Sequence, residues 1–398
     1  RMIQSFEREP GLRQLEVDVV LVTEDKAGPY ALLSDTVLYP KGGGQPADHG
    51  YLGDIRVHDV QRVNGEIRHY LERPAQLGLS KLTLDWERRF DHMQQHTAQH
   101  LITAIGFNRF GWETTSFHLG AKSSNIELDV ASIAQTDLES LEEQTAIAIL
   151  EARVVNARRV PAEALTSESI RSRGLPAGHT GDIRLVEIDG IDCNTCGGTH
   201  VRTTAEVGTI KLLGTDRMRG GTRLYWVAGT RVRALLATHE TRSAALREVF
   251  ESSDDEVLQV AEAKLLRLKE AEHRIKQLST DLAKETTLRL EASQGVVVET
   301  HIEGADAAFL QSVARQMTSH GTQRPGFLTS TNDSGSFFLI YRSANSDIDL
   351  VTIGHRLATL LEGRGGGSAD LFQGKAGSLE RREEAISILK NAISNGPH

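Results

Sequence analysis

The chain has 398 residues, 39% of them hydrophobic and 25% charged, and its 45 Lys+Arg against 54 Asp+Glu give a net charge of −9. That composition excludes a disordered chain and a uniformly basic nucleic-acid binder, and the length suggests about two or three domains. No apolar run approaches the roughly 18 residues of a membrane span, and the opening Arg1-Met2-Ile3-Gln4-Ser5 carries no charged-then-apolar export signal. The two cysteines, Cys193 and Cys196, cannot form a disulfide framework. They point to a reducing, cytoplasmic compartment and to a metal or redox role for a close pair.

Residues 1–87 read as a small β-barrel. Leu15–Val19 alternates, Asn64-Gly65 separates Val57–Val63 from Ile67–Leu71 as a two-residue hairpin turn, and Leu82–Trp86 serves as a closing strand. Residues 88–235 mix helix and strand in an α+β core. A helix is expected over about 90–106, with strands near Ser116–Leu119 and Asn125–Leu128. A second helix is expected over Leu138–Val154, with Leu141, Ala146, Ile147 and Leu150 on one face, then strands near Ile183–Ile188 and Val207–Leu212.

Residues 236–292 form a helical arm. From 254 to 290 there is no Gly or Pro, and Val257, Ala261, Leu268, Ala271, Ile275, Leu278 and Leu282 trace a heptad seam interrupted by Lys264 and Glu285. Two readings stand: a long helix packed on its own chain, or a coiled-coil arm joining two copies. Residues 293–398 return to alternating α and β, with strands at Val296–Val298 and Phe337–Tyr341. Helices follow near Ala307–Thr318, Ile353–Glu362 and Leu379–Ala392, and a glycine loop precedes the last of them. The fold class is therefore α+β, with an α/β C-terminal domain.

Two segments carry metal-ligand chemistry. His96-Thr97-Ala98-Gln99-His100 sets two imidazoles at i and i+4 on one helical face, and Cys196-Gly197-Gly198-Thr199-His200 sets a thiol and an imidazole around two glycines that permit a sharp turn. Together they supply three nitrogens and one sulfur, a set suited to tetrahedral Zn2+. His92, one turn before His96, is read as supporting or surface, and Cys193 as an alternative ligand.

These motifs, with Met93 ahead of the first and Val201 after the second, resemble the editing domain of alanyl-tRNA synthetases and the freestanding AlaX alanyl-tRNA editing proteins. Two more blocks agree. Asp35–Gly50, with Gly42-Gly43-Gly44-Gln45, looks like that family's glycine-rich loop, and Gly363–Asp370 looks like the glycine loop of the DHHA1 domain. The resemblance spans nearly the whole chain in the family's order: barrel, editing core, coiled helix, DHHA1 domain.

It implies a hydrolase, freestanding because the barrel starts almost at once, that removes serine, with glycine as a further candidate, from mischarged alanine tRNA. By motif matching His96, His100, Cys196 and His200 hold zinc. Gln45 with the Gly43 and Gly44 backbone lines the ester, and Thr36 faces the serine hydroxyl. The Gly42–Gly44 backbone can approach a carbonyl oxygen as an oxyanion site, and Gln45 can orient water; the plain alternative for the glycines is a tight turn. A pocket that hydrogen-bonds the hydroxyl rejects alanine by leaving its own polar group unpaired.

Across 201–233 seven cationic residues face two acidic ones, a local +5 beginning directly after His200. Arg202, Arg219 and Arg223 are tRNA-backbone candidates there, and Arg364 is another in the glycine loop. The plain alternative is a solvated strand face. Rival functions are a zinc-stabilised tRNA-binding protein without activity, a deacylase serving another tRNA such as the threonine one, and a DHH-type phosphoesterase. Asp91-His92-Met93 and Asp48-His49-Gly50 both miss the Asp-His-His motif that the last requires.

Overall fold

The computed structural model describes residues 3–161, 170, 181–343, 346 and 348–394. The chain divides into two compact units, Arg1–Ala245 and Leu246–His398.

In the first unit, the short helix α1 (Ser5–Arg8) precedes a closed antiparallel barrel. Its strands are β1 (Gln14–Asp25), β2 (Gly28–Leu33), β3 (Gly50–Leu52), β4 (Ile55–Val63), β5 (Glu66–Leu71) and β6 (Gly78–Leu84), in the order β1-β2-β5-β4-β3-β6. Period-two alternation drives the closure: Val17 and Val19 of β1 point into a core with Ala31, Leu52, Val57, Leu71 and Leu82, while Asp18 between them is exposed. Asn64 and Gly65 turn β4 into β5 with φ of 49° and 89°, as a two-residue hairpin requires. The closing strand is β6, which pairs with both β1 and β3. It ends at Leu84, because Asp85 caps the following helix by accepting the Arg88 N–H at 3.2 Å.

That helix, α2 (Trp86–Phe110), is longer at both ends than the expected 90–106. The Asp85 cap sets its start, and Gly111 ends it in the left-handed conformation with φ 72°. Every residue from His92 to Ala104 is buried, so its polar residues need partners inside the protein. Gln94 Nε2 donates to Glu206 O at 3.0 Å, while Gln95 exchanges bonds of 2.9 and 3.0 Å with the Ala228 backbone. Arg89 is fully buried; it pairs with buried Asp48 and donates to Val37 O at 2.6 Å and Pro10 O at 2.7 Å, which fastens the helix to the barrel loop.

Around α2 lie β7 (Thr114–Leu119), β8 (Ser124–Leu128), α3 (Gln135–Leu150), β9 (Val155–Val160), β10 (Ile183–Ile188), β11 (Asp192–Thr195), β12 (Ile210–Met218), β13 (Gly221–Ala228) and α4 (Thr230–Phe250). One sheet runs β12-β13-β8-β7 and another β11-β10-β9. Two expectations need correction. The α3 helix stops at Leu150 and buries Leu138, Leu141, Thr145, Ala148 and Ile149, whereas Ile147 and Leu150 face outward. Val207 lies in a 3-10 turn (Thr204–Val207) instead of a strand, since Gly208 breaks the backbone before β12.

The second unit begins in the last turn of α4 and continues with α5 (Val257–Glu291), β14 (Val298–Glu303), α6 (Ala307–Ser319), β15 (Gly326–Asn332), β16 (Gly335–Tyr341), α7 (Leu350–Leu360), β17 (Arg364–Gly367), β18 (Leu371–Ala376) and α8 (Arg382–Ser394). Its sheet runs β14-β15-β16-β18-β17, with β14 and β15 parallel. The expected glycine loop is instead an edge strand. A side chain at Gly365 or Gly367 would collide with the β18 backbone, 2.5 Å from Gln373 O and 2.1 Å from Leu371 O, so glycine lets the two strands come together. Only the C-terminal part of α5 is buried, at Ala283, Thr286, Thr287 and Leu290. Its seam residues Leu268, Ile275, Leu278 and Leu282 are all more than half exposed.

Candidate metal centre

The two ligand pairs arrive from α2 and from the loop after β11. His96, His100, Cys196 and His200 converge with one ligand atom each, all within 4.8 Å of one another. Cys196 Sγ lies 3.4 Å from His96 Nε2 and 3.3 Å from His200 Nε2. Those separations match the edges of a tetrahedron about a zinc ion bound to nitrogen and sulfur, which are roughly 3.3–3.6 Å. The donor set fits the metal that the sequence implied.

Each imidazole is oriented from behind. His96 Nδ1–H donates to Gln45 Oε1 at 2.9 Å, and His100 Nδ1–H donates to Asp192 Oδ2 at 2.9 Å. His200 Nδ1 lies 3.1 Å from Thr97 Oγ1, which also accepts the Val201 N–H at 3.3 Å. Fixing the proton on Nδ1 of His96 and His100 leaves Nε2 as the lone-pair nitrogen, the arrangement in which a metal-binding histidine is held. Arg184 Nη1 donates to the Cys196 and Gly198 carbonyls, both at 2.8 Å, and so shapes the loop between the cysteine and His200.

Burial pushes the Cys196 thiol up, but the His96 and His200 imidazoles, with hydrogen bonds from His100 and His200, outweigh it and hold the thiol well below its ordinary range. The thiolate is thus the favoured form, as a metal ligand requires. Burial alone would lower His100; its bonds to Asp192 and Cys196 dominate and raise it to about 9, so in the metal-free site Nε2 also carries a proton, which a metal ion would displace. For His200 burial prevails and lowers it to about 3.

A cavity of 390 Å³ opens over the ligands, lined by Gly43, Gly44, His96, Gln99, His100, Ser116, Phe117, Asn194, Thr195, Cys196 and Gly197. Gly43 and Gly44, with φ of 53° and 79°, form the tip of a turn closed by the Gly42–Gln45 bridge. Among the described residues neither of their N–H groups has an acceptor, so both can serve one at the cavity. A Cβ on Gly44 would stand 2.3 Å from the Phe117 ring, so a side chain there would collide with the cavity wall.

Four expected residues occupy other places. Gln45 is buried, and besides holding His96 it accepts the Thr199 N–H at 3.0 Å and donates to Thr199 Oγ1 at 2.8 Å. Its Oε1 takes two of these bonds and its Nε2 gives one, so it braces His96 and the ligand loop and keeps one N–H outside them. Thr36 does not line this cavity. It is buried in the barrel loop, its Oγ1 2.8 Å from His69 Nε2 and accepting the Leu38 N–H at 3.0 Å. His92 is buried, not on the surface, and lies outside the four-ligand group, as does Cys193, which is half-buried on β11 beside Val160, Ile183 and Leu185.

The basic stretch is partly neutralised: Arg202 pairs with Glu206, Lys211 with Glu142, Arg223 with Glu127 and Arg231 with Asp91. Arg217 and Arg219 are exposed near the β12–β13 turn, and Arg364 is exposed on the edge strand β17. Asp192, Thr97 and Thr199 escaped the sequence reading as functional residues. The two threonines sat inside the quoted motifs, whereas nothing local marks Asp192, four residues ahead of Cys196. No helix among the described residues is long and apolar enough to cross a membrane.

Residues 183–225 match the family described as "Threonyl and Alanyl tRNA synthetase second additional domain". Over 373 residues the chain is 36% identical to the alanyl-tRNA editing protein Aarsd1 of Mus musculus, covering 92% of this chain and 89% of that protein. The Danio rerio protein of the same name is 34% identical over 367 residues, covering 90% and 87%. An alanine–tRNA ligase of Pyrococcus abyssi is 27% identical over 411 residues, covering 97% of this chain but 43% of the ligase. With this extent of shared sequence, and with both ligand motifs brought to one point, the chain belongs to the Aarsd1 family of alanyl-tRNA editing proteins.

Proposed function

We propose that this chain is a hydrolase that clears mischarged alanine tRNA, with Ser-tRNA(Ala) as its principal substrate and Zn2+ as its metal. The observation that carries the reading is the convergence of His96, His100, Cys196 and His200, the first three of which line a cavity that Gly43 and Gly44 also border. The names of its relatives supply the tRNA. Zinc held by these four residues would polarise an ester carbonyl or a water molecule.

The chain's own groups do the rest. The Gly43 and Gly44 N–H groups, on the cavity border, would take the carbonyl oxygen as negative charge develops on it. Gln45 and Asp192 keep His96 and His100 in the tautomer and orientation that a metal needs. Phe117 walls the cavity beside Gly44, excluding water from one side of the ester. Thr36 takes no part in this scheme, because His69 holds its hydroxyl.

Arg219, with Arg364 in the second unit, is the exposed cation we assign to the tRNA backbone. Arg202 and Arg223 can add to it, because exposed ion pairs such as theirs are worth little and exchange readily. The exposed seam of α5 favours a coiled-coil arm joining two copies, and two cysteines that form no disulfide suit a reducing cytoplasm.

The test is deacylation of Ser-tRNA(Ala) and Ala-tRNA(Ala) by zinc-loaded protein. Serine release should outpace alanine release and disappear in Cys196→Ala protein that still folds by circular dichroism. Full activity in Cys196→Ala overturns the metal assignment, and equal release of both amino acids overturns the substrate assignment.

A further inference from the structure

The cavity beside His96, His100 and Cys196 holds a polar group that the chemistry above leaves unused. Gln99, on α2 directly before His100, lines this cavity and is only 2% exposed. Its Nε2 donates to Thr103 Oγ1 at 2.9 Å, one helical turn along. Thr103 Oγ1 also accepts from Thr114 Oγ1 at 3.3 Å, so it is met by two donors and the amide presents its nitrogen to it. The other end of the amide, Oε1, is buried with no hydrogen-bond partner. A buried acceptor without a donor is destabilising, so its persistence at a cavity wall is explained when a ligand brings the donor.

We infer that Gln99 is a specificity-determining residue whose Oε1 accepts a hydrogen bond from the side-chain hydroxyl of the seryl ester. This rests on the serine-ester reading above. The chemistry of the acceptor selects the hydroxyl over the substrate's amino group. A neutral, solitary oxygen matches the single O–H donor of serine. An ammonium brings a charge and three N–H donors, which one buried oxygen cannot satisfy. Alanine, offering no donor at this point, leaves Oε1 unpaired and is penalised relative to serine.

The experiment compares wild type with Gln99→Met, which keeps the length of the side chain and removes the acceptor. Full-length protein is loaded with zinc, its metal content measured, and its release of serine from Ser-tRNA(Ala) and alanine from Ala-tRNA(Ala) timed in parallel. In Gln99→Met the serine-to-alanine rate ratio should fall by about 10- to 100-fold at unchanged metal content. An unchanged ratio, including equal slowing of both esters, overturns the inference and leaves the serine-ester reading standing. A wild-type chain that shows no preference for serine overturns that reading, and this inference with it. Should Gln99→Met fail to fold, Gln99→Asn, which withdraws the oxygen by one methylene, gives the same comparison: a fall supports the inference and an unchanged ratio overturns it.

Discussion

Replacing Gly198 by alanine tests whether the tight loop between the cysteine and the last histidine sets the metal affinity. The new Cβ would stand 2.1 Å from His96 Cε1, 2.4 Å from His96 Nδ1 and 2.9 Å from Gln45 Oε1. Carbon contacts settle near 3.5 Å, so the ring or the loop must give by about 1 Å or more. Neither has slack. His96 is tied at Nδ1 to Gln45, and Gln45 is tied at both ends of its amide to Thr199. The loop itself is held through the Cys196 and Gly198 carbonyls by Arg184.

Gly198 does not have a left-handed φ, so alanine suits its backbone and the whole effect is steric. Overpacking of this kind costs about 1–3 kcal/mol. Disturbing the group that orients a ligand lowers metal affinity by about 10- to 100-fold. Gly197→Ala is the matched control, because a Cβ there meets nothing within 4 Å, and its zinc affinity should stay within about twofold of wild type. The assay is zinc titration of metal-free protein against a chelating competitor, with circular dichroism to confirm the fold. Wild-type zinc affinity in Gly198→Ala, or equal weakening by both substitutions, would refute the reasoning.

Two further outcomes are expected. Asp192→Asn removes the charged acceptor behind His100 and should weaken zinc by about 10- to 100-fold in the same competition; undiminished affinity would show that Asp192 does not orient the ligand. Burial lowers His69 from 6.5 to about 4, so between those values the unfolded chain binds a proton that the folded chain refuses. The stability from this group is complete above about pH 6.5 and declines by up to roughly 3 kcal/mol as the pH falls to about 4. Urea unfolding of His69→Gln should lose correspondingly less stability than wild type over that range, and identical losses would exclude His69 as the source.

The parts of the fold that the sequence revealed are those in which one face is wet. Barrel strands alternate because one side meets solvent, and Val17-Asp18-Val19 can be read from that alone. The extent of α2 was hidden because it is buried all round with polar residues: Gln94 and Gln95 look like surface positions until Glu206 and Ala228 appear as their partners. Edge strand β17 read as a loop because Arg-Gly-Gly-Gly has no alternation to display, and the reason for its glycines is the approach of β18, several residues further along. The cluster that could hold a metal was legible because its spacing is local on each side, i to i+4, and needed only one long-range closure.

Roles, unlike ligands, depend on closures that spacing does not encode. Gln45 stood in a loop that the sequence placed at the ester, and its amide was expected to hold water. In the fold it reaches across 154 residues of chain to Thr199 and back to His96, so both ends of its amide are tied to the ligand-bearing segments. The barrel therefore contributes to the metal centre without contributing a ligand: it sets the proton on His96 and braces the turn that carries Cys196 and His200. The Arg89–Asp48 pair ties that contribution to the helix bearing the histidines, since Asp48 also accepts the Tyr39 N–H at 2.7 Å at the base of the glycine loop. A buried ion pair adds little net stability by itself. Placed here, it joins the barrel loop that carries Gln45 to the helix that carries His96 and His100.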